Sequence, residues 1–214
     1  MEIDDVGEYL GAVERTVSSL ERDGKPTRAV TMARSYKTTV EDIWDAVTSD
    51  ERLPRWFLPI SGELKLGGRY QLEGNAGGLI TACERPTYFA VTWEFGGDTS
   101  WVDVRIAGDG AEQARLTLTH TAHLSDHWNQ YGPGATGVGW ELGLIALRLH
   151  LAEPGAPRMD EAAFFGSPVG KAFIVGSSER WGQASILAGT DNEAALAAAG
   201  RTTAFYTGEA AESS

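Results

Sequence analysis

The sequence predicts an α+β fold: an antiparallel sheet covered by one long helix, with additional N- and C-terminal helices. Three observations carry this. Between residues 63 and 122 six short segments (ELKL, RYQLEG, LITACE, TYFAVTWEF, SWVDVRIAG and ARLTLTHTA) follow one another, separated by gaps of the kind hairpins use. In the later strands one parity is apolar: Phe89, Val91, Trp93 and Phe95; Val102, Val104 and Ile106; Leu116 and Leu118, with His120 continuing the last row. Such alternation gives a sheet one face to bury and one to solvate. Residues 135–152 carry two adjacent apolar stripes, Val138, Leu142, Ile145 and Leu149 beside Trp140, Leu144, Leu147 and Leu151. A helix with so wide an apolar face is fit to cover a sheet.

Taken in chain order, apolar residues at Ile3, Val6, Leu10, Val13, Val17 and Leu20 step by three and four, which predicts an amphipathic helix over residues 3–22. The run Arg22-Asp23-Gly24-Lys25-Pro26 reads as a break. Residues 27–37 read as a strand. Thr38-x-x-Glu41 has the pattern of a capping box and opens a helix with Ile43, Trp44 and Val47 on one face. A short helix near residues 50–56 ends at Pro59. Trp44 and Trp56 are expected in the core. After the long helix, Ser167-Pro168 starts another that runs to about Gly189, and Thr190-x-x-Glu193 opens an Ala-rich helix to about Ala199. The last residues, GEAAESS, are too polar to order themselves. The expected organisation is an N-terminal helix (1–26), the sheet-and-helix domain (27–154), a helical extension (155–207) and a disordered tail (208–214).

The 214 residues carry a net charge of −12, with 42% hydrophobic and 22% charged residues. An acidic surface repels phosphate backbones, so nucleic acid is not an expected partner. No apolar run is long enough to span a membrane. The single cysteine, Cys83, excludes an intrachain disulfide, and the acidic start MEIDDVGEYL lacks the charge pattern of a secretory signal. A cytoplasmic location is expected.

The stretch GPGATG places Gly132, Gly134 and Gly137 in a G-x-G-x-x-G. A dinucleotide site needs a buried strand before it and a βαβ unit around it. The preceding segment, His123 to Tyr131, is too polar, and no strand follows the helix. No cofactor is expected; the glycines are expected to lead tightly into the long helix and let its start approach the sheet. His120, His123 and His127, with Asp126 nearby, lie at spacings of three and four but follow a strand into a loop, so no metal is expected. Cys83 lies in a strand without a base nearby in sequence, and there is no G-x-S-x-G.

Several segments then carry a resemblance: Val40 to Val47 (VEDIWDAV), Arg55 to Pro59 (RWFLP), Leu66 to Tyr70 (LGGRY), Val91-Thr92-Trp93 beside Arg115 to His120, and Gly139-Trp140 entering the long helix. Over residues 28–152 the chain resembles the START-like, birch-pollen-allergen-like superfamily. Within it, the chain resembles the family named for the activator of the ninety-kilodalton heat-shock protein's ATPase. The resemblance implies a helix-grip fold, a curved sheet around a long helix with a cavity between. Members include co-chaperones, lipid and hormone carriers and polyketide cyclases, so it implies no single activity.

Trp93, His120, Trp140 and Glu141 are the candidate ligand-binding residues, expected near the sheet–helix space. Trp and His each join an apolar body to a polar handle. Glu141 is either a buried carboxylate that orients a ligand or moves a proton, or a solvent-facing charge at the helix start. The leading expectation is a hydrophobic or amphipathic small molecule bound in the cavity. The alternatives are a chaperone-associated interaction module and a cyclase- or dehydratase-like enzyme with Glu141 or His120 as acid–base. The apolar residues of the extension (Phe164, Phe165, Phe173, Ile174, Trp181, Ile186 and Leu187) are expected to pack on the domain, close the pocket or form a homodimer interface.

Overall fold

Asp23 and Gly24 both have positive φ, 53° and 72°. Two consecutive residues in that region make the two-residue turn that suits a right-twisted hairpin. In the computed structural model, which describes residues 6–209, this turn joins β1 (Glu14–Arg22) to β2 (Lys25–Tyr36). Among the described residues the expected N-terminal helix is reduced to α1 (Val6–Gly11); Ile3 lies outside them. Val13 and Val17 are buried, but at strand period, on either side of the inward-facing Arg15. A charged residue at an inward position hid the alternation and left a spacing that reads as helical.

α2 (Val40–Thr48) follows, capped by the Thr39 hydroxyl accepting from the Asp42 N–H at 3.2 Å. Its Ile43, Trp44 and Ala46 are buried. A single 3-10 turn at Leu53–Arg55 replaces the short helix expected there. The meander then runs through β3 (Ile60–Gly62), β4 (Arg69–Leu72), β5 (Gly77–Glu84), β6 (Tyr88–Phe95), β7 (Asp98–Gly108) and β8 (Ala114–His123). The expected strand ELKL is not one. Gly62 takes φ 110° and β3 ends there, leaving Leu64 and Leu66 exposed in the connection to β4. The eight strands form one curved antiparallel sheet in the order β1-β2-β8-β7-β6-β5-β4-β3.

The segment after β8, expected as loop, forms α3 (Asp126–Tyr131), capped by Ser125. The long helix, α4 (Gly134–Ala152), lies where the apolar stripes place it. α5 (Glu161–Gly166), α6 (Pro168–Leu187) and α7 (Asn192–Thr207) complete the chain. Ser167 caps α6 with Pro168 at its first position, as its sequence predicts. α7 is capped by Asp191 rather than Thr190 and runs eight residues past Ala199. The disorder expected of the tail falls largely outside the described residues.

The chain divides into two compact units. One comprises the chain up to Met32, His123–Leu142 and the chain from Met159; the other comprises Ala33–Ala122 and Gly143–Arg158. In the second, Trp44 packs edge-on against Phe89 (5.9 Å, 84°), and the Trp56 indole N–H donates to the Ala46 carbonyl at 2.8 Å. Both tryptophans are core, as expected. Leu144, Ile145 and Leu147 of α4 are buried in the same unit, where the Tyr36 hydroxyl donates to the Leu144 carbonyl at 3.5 Å.

In the first unit the extension is not a loose appendage. Phe173, Ile174 and Trp181 are fully buried, and Tyr9 of α1 meets Phe173 edge-on at 5.7 Å. The glycines of GPGATG find their reason here. Gly132 ends α3 at φ 59°. A Cβ on Gly137 would lie 2.2 Å from the Trp181 indole, and one on Gly134 2.7 Å from the Thr202 hydroxyl. The close approach expected of this helix start is to α6 and α7.

Candidate functional site

The register of β6, β7 and β8 sets three side chains on the apolar face of the sheet. Trp93 pairs with Ser100 across β6 and β7, and Val102 pairs with His120 across β7 and β8. His120 therefore sits diagonally from Ser100, within side-chain reach. Its Nε2 lies 2.8 Å from the Ser100 Oγ, and that hydroxyl donates to the Trp93 carbonyl at 3.1 Å. A hydroxyl has one proton, so if Ser100 gives it to Trp93, His120 is the donor in the other bond. The imidazole then carries a proton on Nε2. The Trp93 and His120 rings stand 6.1 Å apart at 58°. Burial pushes the His120 pKa down to about 4, so the ring is neutral near pH 7. Both residues keep partial exposure.

Trp140 and Glu141 belong to the other unit. Trp140 is half-buried on α4. Glu141 is fully buried, and it is neither solvent-facing nor alone. Arg15 meets it with a two-pronged fork, Nε to Oε1 at 2.6 Å and Nη2 to Oε2 at 2.7 Å. The remaining guanidinium nitrogen donates to the Leu10 and Val13 carbonyls at 3.0 and 2.8 Å, and the Tyr9 hydroxyl donates to the Glu141 carbonyl at 3.2 Å. A buried carboxylate is tolerable because a planar donor pair satisfies it on both oxygens. The structure thus joins Trp93 to His120 in one unit and Glu141 to Arg15 in the other.

A second polar cluster, absent from the sequence-based expectations, lies within the unit that holds His120. Arg52 donates to Asp42 at 2.7 Å and Asp45 at 3.1 Å, and its Nε donates to the Nε2 of His150 at 3.3 Å. His150 is buried, and its pKa is lowered first by that burial and then by the Arg52 and Arg55 charges. Burial alone would raise the Asp42 pKa, but hydrogen bonds from Thr38 and Arg52 bring it below the usual value.

His127 stacks on Tyr131 at 4.9 Å. Among the described residues no group of three or more His, Cys, Asp or Glu side chains could hold a metal ion. No helix among them is long and apolar enough to cross a membrane. Cys83 is exposed on β5.

Sequence reasoning missed Arg15, Ser100 and the Arg52–His150 contact. Asp23-Gly24 was the available signal for the first, since a D-G pair with positive φ announces a hairpin and puts Arg15 on a strand.

With this geometry in place, the likeness to known proteins is informative. CalU16 from Micromonospora echinospora has a similar crystal structure, with a TM-score of 0.65 and 27% identity over 84% of this chain and 99% of that one. An HSP90 activator from Plasmodium falciparum superposes with a TM-score of 0.51 and 24% identity over 58% of this chain and 96% of that one, and so supports the fold alone. A conserved protein from Enterococcus faecalis shares the fold at 17% identity, with a TM-score of 0.57 over 84% of this chain and 95% of that one. No curated protein matches the sequence. The profile of the activator of Hsp90 ATPase homolog 1-like proteins matches residues 37–151, more than half of the chain. The chain belongs to that family, AHSA1, and has its helix-grip fold.

Proposed function

We propose that this AHSA1-family protein binds an apolar or amphipathic small molecule against the apolar face of its sheet, at Trp93 and His120. The observation that carries the reading is the Trp93–His120–Ser100 cluster. A partly exposed indole offers a broad apolar surface, and a neutral imidazole beside it offers polarity without a charge to desolvate. Binding would come from burying the ligand's apolar area on Trp93. Contact with the partly exposed imidazole of His120 would set its pose. Trp140, half-buried on α4, is a separate candidate for ligand contact within its own unit, where both Glu141 oxygens are held by Arg15.

Binding fits this chemistry better than acid–base catalysis. A base with a pKa near 4 has little driving force at neutral pH, and both Glu141 oxygens are engaged by Arg15. Saturated fatty acids and hydroxylated anthraquinones are suitable probes. Thermal stabilisation of the wild type by one class, reduced in Trp93→Ala, supports the proposal; stabilisation unchanged in Trp93→Ala counts against this site.

Family membership favours a second reading, a module that acts on a chaperone. Stimulation of the ATPase of a purified Hsp90-type chaperone would establish it. No change in that ATPase rate at saturating protein would remove it.

A further inference from the structure

We propose that the buried face of α6 holds an ordered internal water, bound by the Ser177 and Ser178 hydroxyls and the Trp181 indole N–H. The three side chains are fully buried, each at 0% exposure. None of their polar atoms has a hydrogen-bond partner among the described residues. Buried polar groups nearly always have one, so three neighbours without one require a physical cause. Two other buried hydroxyls of these helices follow the rule. Ser185 donates to the Thr190 hydroxyl at 2.9 Å, and Thr202 donates to the Tyr131 carbonyl at 3.1 Å.

The helix brings the three atoms to one place. Trp181 stands four residues after Ser177 and three after Ser178, the spacings at which helical side chains are neighbours. Long side chains on a helix lie back over the turn before them, so the indole covers the turn that carries both serines. A helical serine can turn its hydroxyl onto the carbonyl four residues earlier. Here those carbonyls belong to Phe173 and Ile174, and neither bond is made.

The packing around the cluster is apolar and close. The indole nitrogen lies against Gly137 of α4, which has no side chain to receive the N–H. On the flanks of α6, a Cβ on Gly176 would meet Leu10, and one on Gly182 would lie 3.1 Å from the Ala199 Cβ. Phe173 and Ile174, one turn back, are buried hydrocarbon. Helices that approach this closely set the size of the occupant at a water rather than an organic molecule. The cluster carries no formal charge, so an ion would be desolvated there without a counter-charge. A water both donates and accepts. It takes the N–H of Trp181 and engages both hydroxyls, which makes the three bonds usual for a buried water.

The test uses the full chain and leaves Trp93 and His120 untouched, so it is independent of ligand binding. A high-resolution crystal structure should show one water at about 2.7–3.2 Å from Trp181 Nε1 and from both hydroxyls. In ¹⁵N-labelled protein the Trp181 indole proton should give NOE and ROE cross-peaks of opposite sign at the water frequency, as a long-lived water does. Ser177→Ala/Ser178→Ala should lose the water and the cross-peaks, because one bond from the indole does not hold it. Circular dichroism confirms that the variant folds; if it does not, the wild-type density decides alone. Clear density for the three side chains with no water bonded to them overturns the proposal. So do hydroxyls turned onto the Phe173 and Ile174 carbonyls, and so does a water that persists in the double variant, since other groups would then hold it.

Discussion

Arg15 and Glu141 lie 126 positions apart in sequence and meet through two parallel hydrogen bonds of 2.6 and 2.7 Å, with side-chain exposures of 6% and 0%. The pair ties the first residues of β1 to the second turn of α4. Breaking it from one side strands a charge without water. Glu141→Gln or Arg15→Met should each lower unfolding free energy by about 3–5 kcal/mol. The apolar double variant Arg15→Met/Glu141→Met should lie closer to the wild type than either single change, because it removes both charges together. Urea unfolding of the four proteins checks this. Additive losses would mean that the two residues act separately.

The neutrality of His120 has a pH signature. Its folded pKa of about 4 lies below the ordinary 6.5, so between these values the unfolded chain binds the proton more tightly. Stability from this residue is complete above pH 6.5 and falls as pH is lowered toward 4, by at most about 3 kcal/mol. His120→Gln keeps a donor for Ser100 and does not titrate. Melting temperature against pH should therefore fall less steeply for His120→Gln than for the wild type in that window. Parallel curves would place the His120 pKa near its ordinary value.

At His150 the causes can be separated. Arg52→Met removes one of the two positive charges near the ring and leaves burial and the Arg55 charge. The His150 pKa should rise, without reaching the ordinary value, and that of Asp42 should rise with it. Titration of the ring protons by NMR reads the first shift directly. An unchanged His150 pKa would show that the Arg52 charge does not reach the ring.

Gly137 tests the packing of α4 against Trp181. Alanine is the better helix former by about 1 kcal/mol. Its Cβ would nonetheless sit 2.2 Å from a fully buried indole. Gly137→Ala should destabilise by about 1–3 kcal/mol. Gly200→Ala, on the exposed side of α7 with nothing near its Cβ, should stabilise by up to about 1 kcal/mol. Thermal melts of the two variants should move in opposite directions.

Much of the fold is legible in the sequence because period and burial agree. Phe89, Val91 and Trp93 alternate, Val138 to Leu149 step by three and four, and each set lies in the element its period predicts. The N-terminus misleads for a physical reason. Arg15 occupies an inward strand position made tolerable by Glu141, a partner that periodicity cannot reveal. Leu64 and Leu66 mislead oppositely, since they alternate but follow a glycine that ends the strand. Of the candidate site, the proximity of Trp93 and His120 was legible from parity on neighbouring hairpins. Ser100 was not, because its role depends on the register of β6 against β7. Glu141 was legible as an unusual carboxylate on an apolar helix, but not as one half of an ion pair.

The central claim is that a ligand sits on Trp93 and His120. The most direct measurement follows the indole N–H and imidazole resonances of uniformly ¹⁵N-labelled protein during titration with dodecanoate and with a hydroxylated anthraquinone. Assignments come from Trp93→Phe and His120→Gln. The account predicts saturable shifts at Trp93 and His120 with one probe, and about tenfold weaker binding, near 1.4 kcal/mol, in Trp93→Ala. Saturable binding that leaves both resonances unmoved, or no binding by either class, would contradict it.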